Sequence, residues 1–257
     1  MQSLSVVIVC NNEAGIIGTT LQSLQGLTDD IVVYDNGSTD DTVVIAQQFA
    51  TNVIRGEWEG FGKTKQKAVA LARYDWILSL DADECVDVEL KNELLRLPLN
   101  DENVVYEIKF KNFFGNQWLK YGEWGNDSHT RLFNRQKVNW NEAPVHEGLV
   151  LPGGIQKKRL KGYVLHYTAT DIQRYKTKLM KYAALNAEKY FEQGKKIGWF
   201  KKYISAFFSF TQNYIFRAGF LDGKAGYRCA MLTATYTFNK YKNLEQLIRA
   251  ATETLKH

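Results

Sequence analysis

The sequence predicts an α/β fold: a central, mostly parallel sheet flanked by helices, with a helical extension toward the C-terminal end. Three features carry that expectation. Four short apolar runs, at residues 4–9, 31–34, 52–54 and 76–80, alternate with stretches of helical spacing, the pattern of strands wound onto a parallel sheet by crossover helices. Acidic, polar clusters follow the first, second and fourth runs, so they gather at the carboxyl edge of the sheet, where open α/β sheets bind ligands. From Asp171 onward the chain has no proline and little strand signal.

The first run, LSVVIV, is β-branched and suits a buried strand. It stops at Cys10-Asn11-Asn12-Glu13-Ala14-Gly15, after which Ile16, Ile17, Leu21 and Leu24 recur at helical spacing. The second run ends in Asp35-Asn36-Gly37-Ser38-Thr39-Asp40-Asp41 and leads into a helix through Val43, Val44, Ala46 and Phe49. A short third strand precedes Gly60-Phe61-Gly62, which opens a helix bearing Lys63, Lys65 and Lys67. The fourth run, Trp76 to Leu80, is apolar on both faces and reads as a fully buried strand. It enters Asp81-Ala82-Asp83-Glu84, and a helix near Val88 follows, with Asp83 or Asp87 as its cap. Beyond Leu97-Pro98 the period changes. Residues 104–110, 130–133 and 164–166 read as further strands separated by Gly-, Asn- and Trp-rich loops. Asp171 caps a helix carrying Tyr175, Leu179, Tyr182, Leu185 and Tyr190, and Gly194 and Gly198 bracket a break. An aromatic run from Trp199 to Phe220 leads to a last helical section over about 226–255.

A length of 257 residues suits one large domain, or one domain with an appendage. The net charge of +5 conceals an asymmetry. Residues 1–150 carry 13 Lys and Arg against 22 Asp and Glu, whereas residues 151–257 carry 20 against 6. An acidic half and a basic half imply different partners. Three widely spaced cysteines, Cys10, Cys85 and Cys229, lack metal-ligand spacing and fit a reducing compartment. Met1-Gln2-Ser3 runs into a strand with no basic leader, and no apolar stretch approaches the roughly 18 residues of a spanning helix. The expectation is a cytoplasmic protein.

The acidic turns carry the chemistry. Asp81 and Asp83, two residues apart at a strand end, repel each other unless a cation intervenes; hard oxygen ligands suit Mg²⁺ or Mn²⁺. The same triplet would also serve as a polar strand-to-helix turn. Glu13, Asp35 and Asp40 at neighbouring strand ends could accept from a base N–H and ribose hydroxyls, while Gly37 lets backbone approach closely. Lys63, Lys65 and Lys67 either meet phosphates or form a solvated helix face.

The order V-V-I-V-x-N-N-E, V-Y-D-N-G-S-T-D-x-T, W-I-L-S-L-D-A-D-E resembles the family 2 glycosyltransferases, whose fold is GT-A. The match covers residues 4–97 in order and spacing. Further motifs, G-x-G-K-T-K-Q-K (60–67), T-R-L-F-N-R (130–135), N-E-A-P-V-H-E-G (141–148), L-H-Y (165–167) and G-F-L-D-G-K-A-G (219–226), look like the bacterial branch that extends lipopolysaccharide core, including β-1,4-glucosyltransferase-like enzymes. The resemblance implies that Glu13 and Asp35, with Asp40, hold base and ribose. It implies that Asp81 contacts the ribose or a metal-bound water, that Asp83 ligates the metal, and that Lys65 lies near the diphosphate. Gln66 and Tyr74 depart from the family's Asn and Gly there. Arg131 is a diphosphate partner or an ion pair on a strand. His166 matches a late metal ligand, or packs in the core; His146 is a lesser contact to acceptor or metal.

An inverting transfer needs one base on the acceptor hydroxyl, and no second acid when a cation stabilises the departing diphosphate. Glu123, Asp127, Glu142 and Glu147 are the candidates, and Glu147 matches the family's His-Glu.

The basic aromatic C-terminal region has the composition of helices lying in a bilayer interface, although a bundle packing its aromatics internally has it too. No nucleic-acid-binding module is apparent. Residues 1–168 are thus expected to form the catalytic domain, with a nucleotide-sugar half at 1–97 and an acceptor and metal half at 98–168. Residues 169–257 form the extension. The expected reaction is metal-dependent, inverting transfer from a nucleotide-diphosphate sugar, UDP foremost, to a lipid-linked saccharide, with lipopolysaccharide core foremost, at the inner-membrane surface. The alternatives are a polyprenyl-phosphate acceptor, which needs no base, and a non-catalytic sugar-nucleotide-binding protein.

Overall fold

The computed structural model describes residues 2–143, 147–169 and 171–254, so His146 lies outside the described residues. The chain divides into two compact units, Met1–Phe110 with Ser128–His166, and Lys111–Asp127 with Tyr167–His257.

The first unit is the expected α/β layer. Strands β1 (Ser5–Cys10), β2 (Ile31–Asp35), β3 (Asn52–Arg55) and β4 (Trp76–Asp81) pair in parallel in the order β3-β2-β1-β4. Helices α1 (Ile17–Ser23), α2 (Thr42–Ala46) and α3 (Phe61–Ala70) connect them. The period-two geometry of a strand sends alternate residues to opposite faces. Val6, Ile8, Ile31, Val33, Leu78 and Leu80 therefore join one buried cluster with α1 and α4 (Val88–Arg96). Val7, Val32, Tyr34 and Ile77 join a second cluster with α3, Phe133 and Trp140. Burial on both faces explains why the first, second and fourth strands read as apolar runs. Asp87, rather than Asp83, caps α4, accepting from Leu90 N at 2.8 Å.

Past β4 the sheet continues through β8 (Asp127–Asn134), β6 (Val104–Phe114), β11 (Gln156–Ala169) and β5 (Glu84–Val86). β8 runs antiparallel to β4, and β5 antiparallel to β11 with His166 opposite Glu84. The three-residue β5 is not signalled by the sequence, and β11 starts eight residues before the expected 164–166. A separate ladder joins β9 (Asn139–Trp140) to β10 (Leu149–Val150).

In the second unit, β7 (Gln117–Trp118) folds back on the end of β6. Helices α5 (Ile172–Glu192) and α6 (Lys201–Thr211) both pack on α7 (Gly223–Thr254). Asp171 caps α5 as expected, accepting from Gln173 N and Arg174 N. Between α6 and α7 the chain makes a π-helical turn at Gln212–Phe216 and a 3₁₀ turn at Gly219–Asp222. Phe114, Leu119, Ala169, Ala225 and Cys229 form this unit's buried cluster. Among the described residues no helix is long and apolar enough to cross a membrane.

Candidate active site

The loops after β1 and β2 are hooked together by their polar residues. Asn12 N donates to Ser38 Oγ at 2.8 Å, Thr39 N to Asn12 Oδ1 at 2.8 Å, and Glu13 N to Thr42 Oγ1 at 2.8 Å. Asp40 is the clamp: its carboxylate accepts from Ala14 N at 3.2 Å, from Thr42 N at 3.1 Å and from the Thr42 hydroxyl. Burial raises its carboxyl, but these bonds together outweigh burial and hold it below the usual range. Asp35 is fully buried and accepts from Gly37 N at 3.3 Å and Ser38 N at 3.1 Å, a turn that Gly37 permits with its φ of 98°. Burial first, then the Asp35 carboxylate with Glu13 and Asp40 behind it, pushes the Cys10 thiol up. Those three carboxylates thus share one pocket of negative potential at the ends of β1 and β2.

A second cluster forms where β4 ends. Lys65 Nζ bridges Asp81 Oδ1 and Glu147 Oε1, both at 2.9 Å. The other oxygen of Asp81 accepts from Arg131 Nη2 at 3.1 Å, and the same Nη2 pairs with Glu84. Glu84 Oε2 in turn accepts from Asp81 N at 3.0 Å. Lys65, Glu84 and Arg131 are each buried, Glu84 completely. Burial opposes ionisation of Asp81, but Lys65 and Arg131 outweigh it and hold the carboxyl well below the ordinary range. For Glu84 burial wins over Arg131, and with Asp81 adding repulsion its carboxyl is raised. Burial lowers and the carboxylates raise the affinity of Lys65 and Arg131 for their protons; both end above their ordinary values and stay charged.

The loop carrying Glu147 is fixed to α3. Gly62 N donates to Ala143 O at 3.0 Å, and a Cβ at Gly62 would lie 1.9 Å from Asn141 O, so only glycine fits this approach. Asn141 closes the loop: its N donates to Gly148 O at 2.8 Å, and its Oδ1 accepts from Ala143 N and Gly148 N. Gln66 Nε2 donates to Trp140 O at 2.6 Å, and the Lys65 ammonium sits 4.5 Å from the Trp140 ring centre. Where Gln66 departs from the resembled Asn, its amide ties α3 to β9.

Asp83 Oδ2 and His166 Nε2 face each other at 3.5 Å. Burial lowers the imidazole's pKa, but Asp83, with Glu84 and Asp81, raises it overall, which places this pair beside the second cluster. Among the described residues no three His, Cys, Asp or Glu side chains converge to hold a metal. A carboxylate and an imidazole are nevertheless suitable donors for a divalent ion that takes its other ligands from substrate phosphates and water. The pair fits a half-site of that kind.

The expected residues therefore fall into three groups: Glu13, Asp35 and Asp40; Lys65, Asp81, Arg131 and Glu147; and Asp83 with His166. Lys63 and Lys67 lie on the exposed side of α3, paired with Glu142 at 3.7 Å and with Glu59. Glu123 and Asp127 lie in the second unit. Glu84 is the member that sequence reasoning leaves unassigned. The only signal was the third acid in Asp81-Ala82-Asp83-Glu84, and its partner Arg131 is 47 residues away.

The sheet thus carries acidic loops at the ends of its parallel strands, with Lys65 and Arg131 buried where β4 ends. The glycosyl transferase family 2 model matches residues 5–149, and the protein belongs to that family. It is therefore a glycosyltransferase, as the resemblance implied. It is 29% identical over 257 residues to an uncharacterized glycosyltransferase of Rickettsia felis, covering 96% of this chain and 90% of that one. It is 28% identical over 246 residues to the lipopolysaccharide core biosynthesis glycosyltransferase LpsC of Rhizobium meliloti, covering 91% and 89%. Among solved structures, S. aureus TarS is similar at 16% identity and a TM-score of 0.44, covering 85% of this chain and 45% of that one. Glucosyl-3-phosphoglycerate synthase of Mycobacterium tuberculosis, solved with Mn²⁺ and UDP, is similar at 25% identity and a TM-score of 0.31, covering 43% of each chain. The family assignment rests on the sequence match.

Proposed function

We propose that the protein transfers a sugar, with inversion, from a UDP-sugar to a hydroxyl of a lipid-linked saccharide, lipopolysaccharide core being the foremost acceptor. The observation that carries this reading is the buried Lys65–Asp81–Arg131–Glu84 network beside Glu147 and the Asp83–His166 pair. Glu13, Asp35 and Asp40 supply acceptors for base and ribose in this reading. Asp83 and His166 would hold the divalent cation, which when bound would neutralise charge on the leaving diphosphate. Lys65 and Arg131 add fixed positive charge, and Asp81 orients both.

The acceptor oxygen attacks the anomeric carbon as the bond from that carbon to the diphosphate oxygen breaks. The nucleoside diphosphate leaves with the electron pair. Glu147 takes the hydroxyl proton, and no general acid is needed because the diphosphate is stable as an anion, which a bound cation would stabilise further. The Rhizobium relative, named for lipopolysaccharide core biosynthesis, supports the lipopolysaccharide acceptor. Exposed aromatic and apolar side chains on α6 and the turn after it, among them Ile204, Phe207 and Phe216, support a seat on the inner face of the cytoplasmic membrane, with lysines alongside.

The test is a thermal-shift screen of nucleotide sugars with and without Mn²⁺. The expected result is stabilisation by UDP-sugars that requires the metal. A metal-independent response to a GDP-sugar would overturn the base and metal assignments together.

A further inference from the structure

Glu84 is completely buried, yet no step of the transfer reaction uses it. A buried carboxylate is costly unless its oxygens are satisfied, and both are. Oε1 pairs with Arg131 Nη2, and Oε2 accepts from Asp81 N at 3.0 Å. The second bond runs from a side chain to the backbone three residues earlier, so it closes the Asp81–Glu84 turn on which Asp83 stands. Thr20, fully buried on α1, pins the same turn at Ala82, whose carbonyl accepts from the threonine hydroxyl at 2.7 Å. The backbone before Asp83 is therefore tied at two points, while the Asp83 side chain stays partly exposed.

Glu84 is tied to His166 as well. The two residues face each other across the β5–β11 ladder, next to Leu165 opposite Cys85 and Val164 opposite Val86. Residues directly opposed in an antiparallel pair present their side chains to the same face, with Cβ atoms roughly 5 Å apart. A second route runs through Arg131. Its guanidinium carbon lies 5.4 Å from the centre of the Phe110 ring, and the His166 ring meets that ring at 87° with centres 5.9 Å apart. Arg131 is fixed in turn by Glu84 and by Asp81 Oδ2. One buried carboxylate thus connects the turn bearing Asp83 with the strand bearing His166, and the two donor atoms end 3.5 Å apart.

We propose that Glu84 is a positioning residue that holds Asp83 and His166 together as one half-site for a divalent cation. Its own oxygens are taken by Arg131 and Asp81 N, so it acts through the two donors and not as a ligand. The inference rests on the transferase reading, in which Asp83 and His166 would hold the cation, and adds the group that aligns them. Residues behind metal ligands orient them, and their loss typically costs about 10–100-fold in metal affinity. A carboxylate that only neutralised Arg131 could do so with a shorter side chain. Reaching both Arg131 and Asp81 N requires the length of glutamate.

The experiment titrates Mn²⁺ into the full chain with saturating UDP and reads bound metal by electron paramagnetic resonance. Glu84→Asp keeps the negative charge and loses one methylene of reach; Glu84→Gln keeps the length and loses the charge. Both are expected to bind Mn²⁺ roughly tenfold or more weakly than the parent protein, with far-UV circular dichroism unchanged. Loss of charge would by itself weaken cation binding, so Glu84→Asp is the deciding variant. It also retains a counter-charge for Arg131, which keeps the test readable if Glu84→Gln does not fold. Parent-like binding by Glu84→Asp would overturn the inference, whatever Glu84→Gln does, and leave the metal reading standing. A parent protein that takes up no Mn²⁺ with UDP would overturn the metal reading, and the inference with it.

Discussion

Glu84 is fully buried against Arg131, and removing it leaves a buried guanidinium with Asp81, itself shared with Lys65, as its remaining counter-charge. Glu84→Ala is therefore expected to destabilise the protein by about 3–5 kcal/mol, a loss measurable as a lowered urea midpoint. A Glu84→Ala midpoint equal to the parent's would mean that the pair is not closed in solution. Glu147 is different: it is half-buried and pairs with Lys65 without being enclosed. Glu147→Gln keeps the shape and removes the base, so kcat should fall by roughly 10²–10⁴-fold while the urea midpoint moves little. Retention of full rate would exclude Glu147 as the base and favour an acceptor that is already ionised, such as a polyprenyl phosphate. The acidic triplet was legible from the sequence because its members are contiguous. Their partners were less so, since Lys65, Arg131 and His166 approach Asp81, Glu84 and Asp83 from three other elements.

At the scale of elements, the parallel strands follow from their composition, and a single truncation tests how tightly they are packed. Leu78 on β4 is fully buried between β1 and β8, so Leu78→Ala should cost about 2–5 kcal/mol through lost burial and the cavity left behind. A urea midpoint lowered by less than a conservative surface substitution lowers it would show that this face collapses to fill the gap. The four parallel strands were readable because apolar runs of that kind survive any local context. β5 was not: three residues carry no usable period, and it exists because β11 offers an antiparallel edge. The early part of β11, Gln-Lys-Lys-Arg, was hidden by its charges; those residues are exposed, and pairing rather than burial makes them a strand. The π-helical turn at Gln212–Phe216 likewise left no mark in the sequence pattern.

Across the whole molecule, the three cysteines are buried and unpaired with one another. Burial, with Glu123 and Asp222 adding negative potential, pushes the Cys229 thiol up to about 12, and Cys10 and Cys85 are also raised. A raised thiol pKa makes the reactive thiolate scarce until the pH climbs toward that value, so about one thiolate in 10⁴ would exist for Cys229 at pH 8. Native protein should thus react slowly with iodoacetamide at pH 8 and label at all three positions after denaturation. Rapid labelling of the folded chain would contradict the burial. The charge asymmetry has its own consequence. The strongly basic residues 151–257 and the exposed aromatics of α6 should drive co-sedimentation with phosphatidylserine vesicles, weakening as salt rises. Phe207→Ser with Phe208→Ser should reduce that binding without altering UDP-sugar stabilisation. Equal recovery with neutral and anionic vesicles would count against the membrane seat.

The loop between β9 and β10 has a meaning for how variants of this protein should be judged. Asn141 alone supplies three of the bonds that hold it closed, and it carries no charge itself. A natural variant lacking that asparagine would keep every acid and every cation of the site, and an inspection of its charged residues would pass it as competent. The loop carrying its Glu147 would nonetheless have lost two of the bonds that close it. In the descent of such enzymes, loss of activity can begin at a residue that no list of functional positions contains.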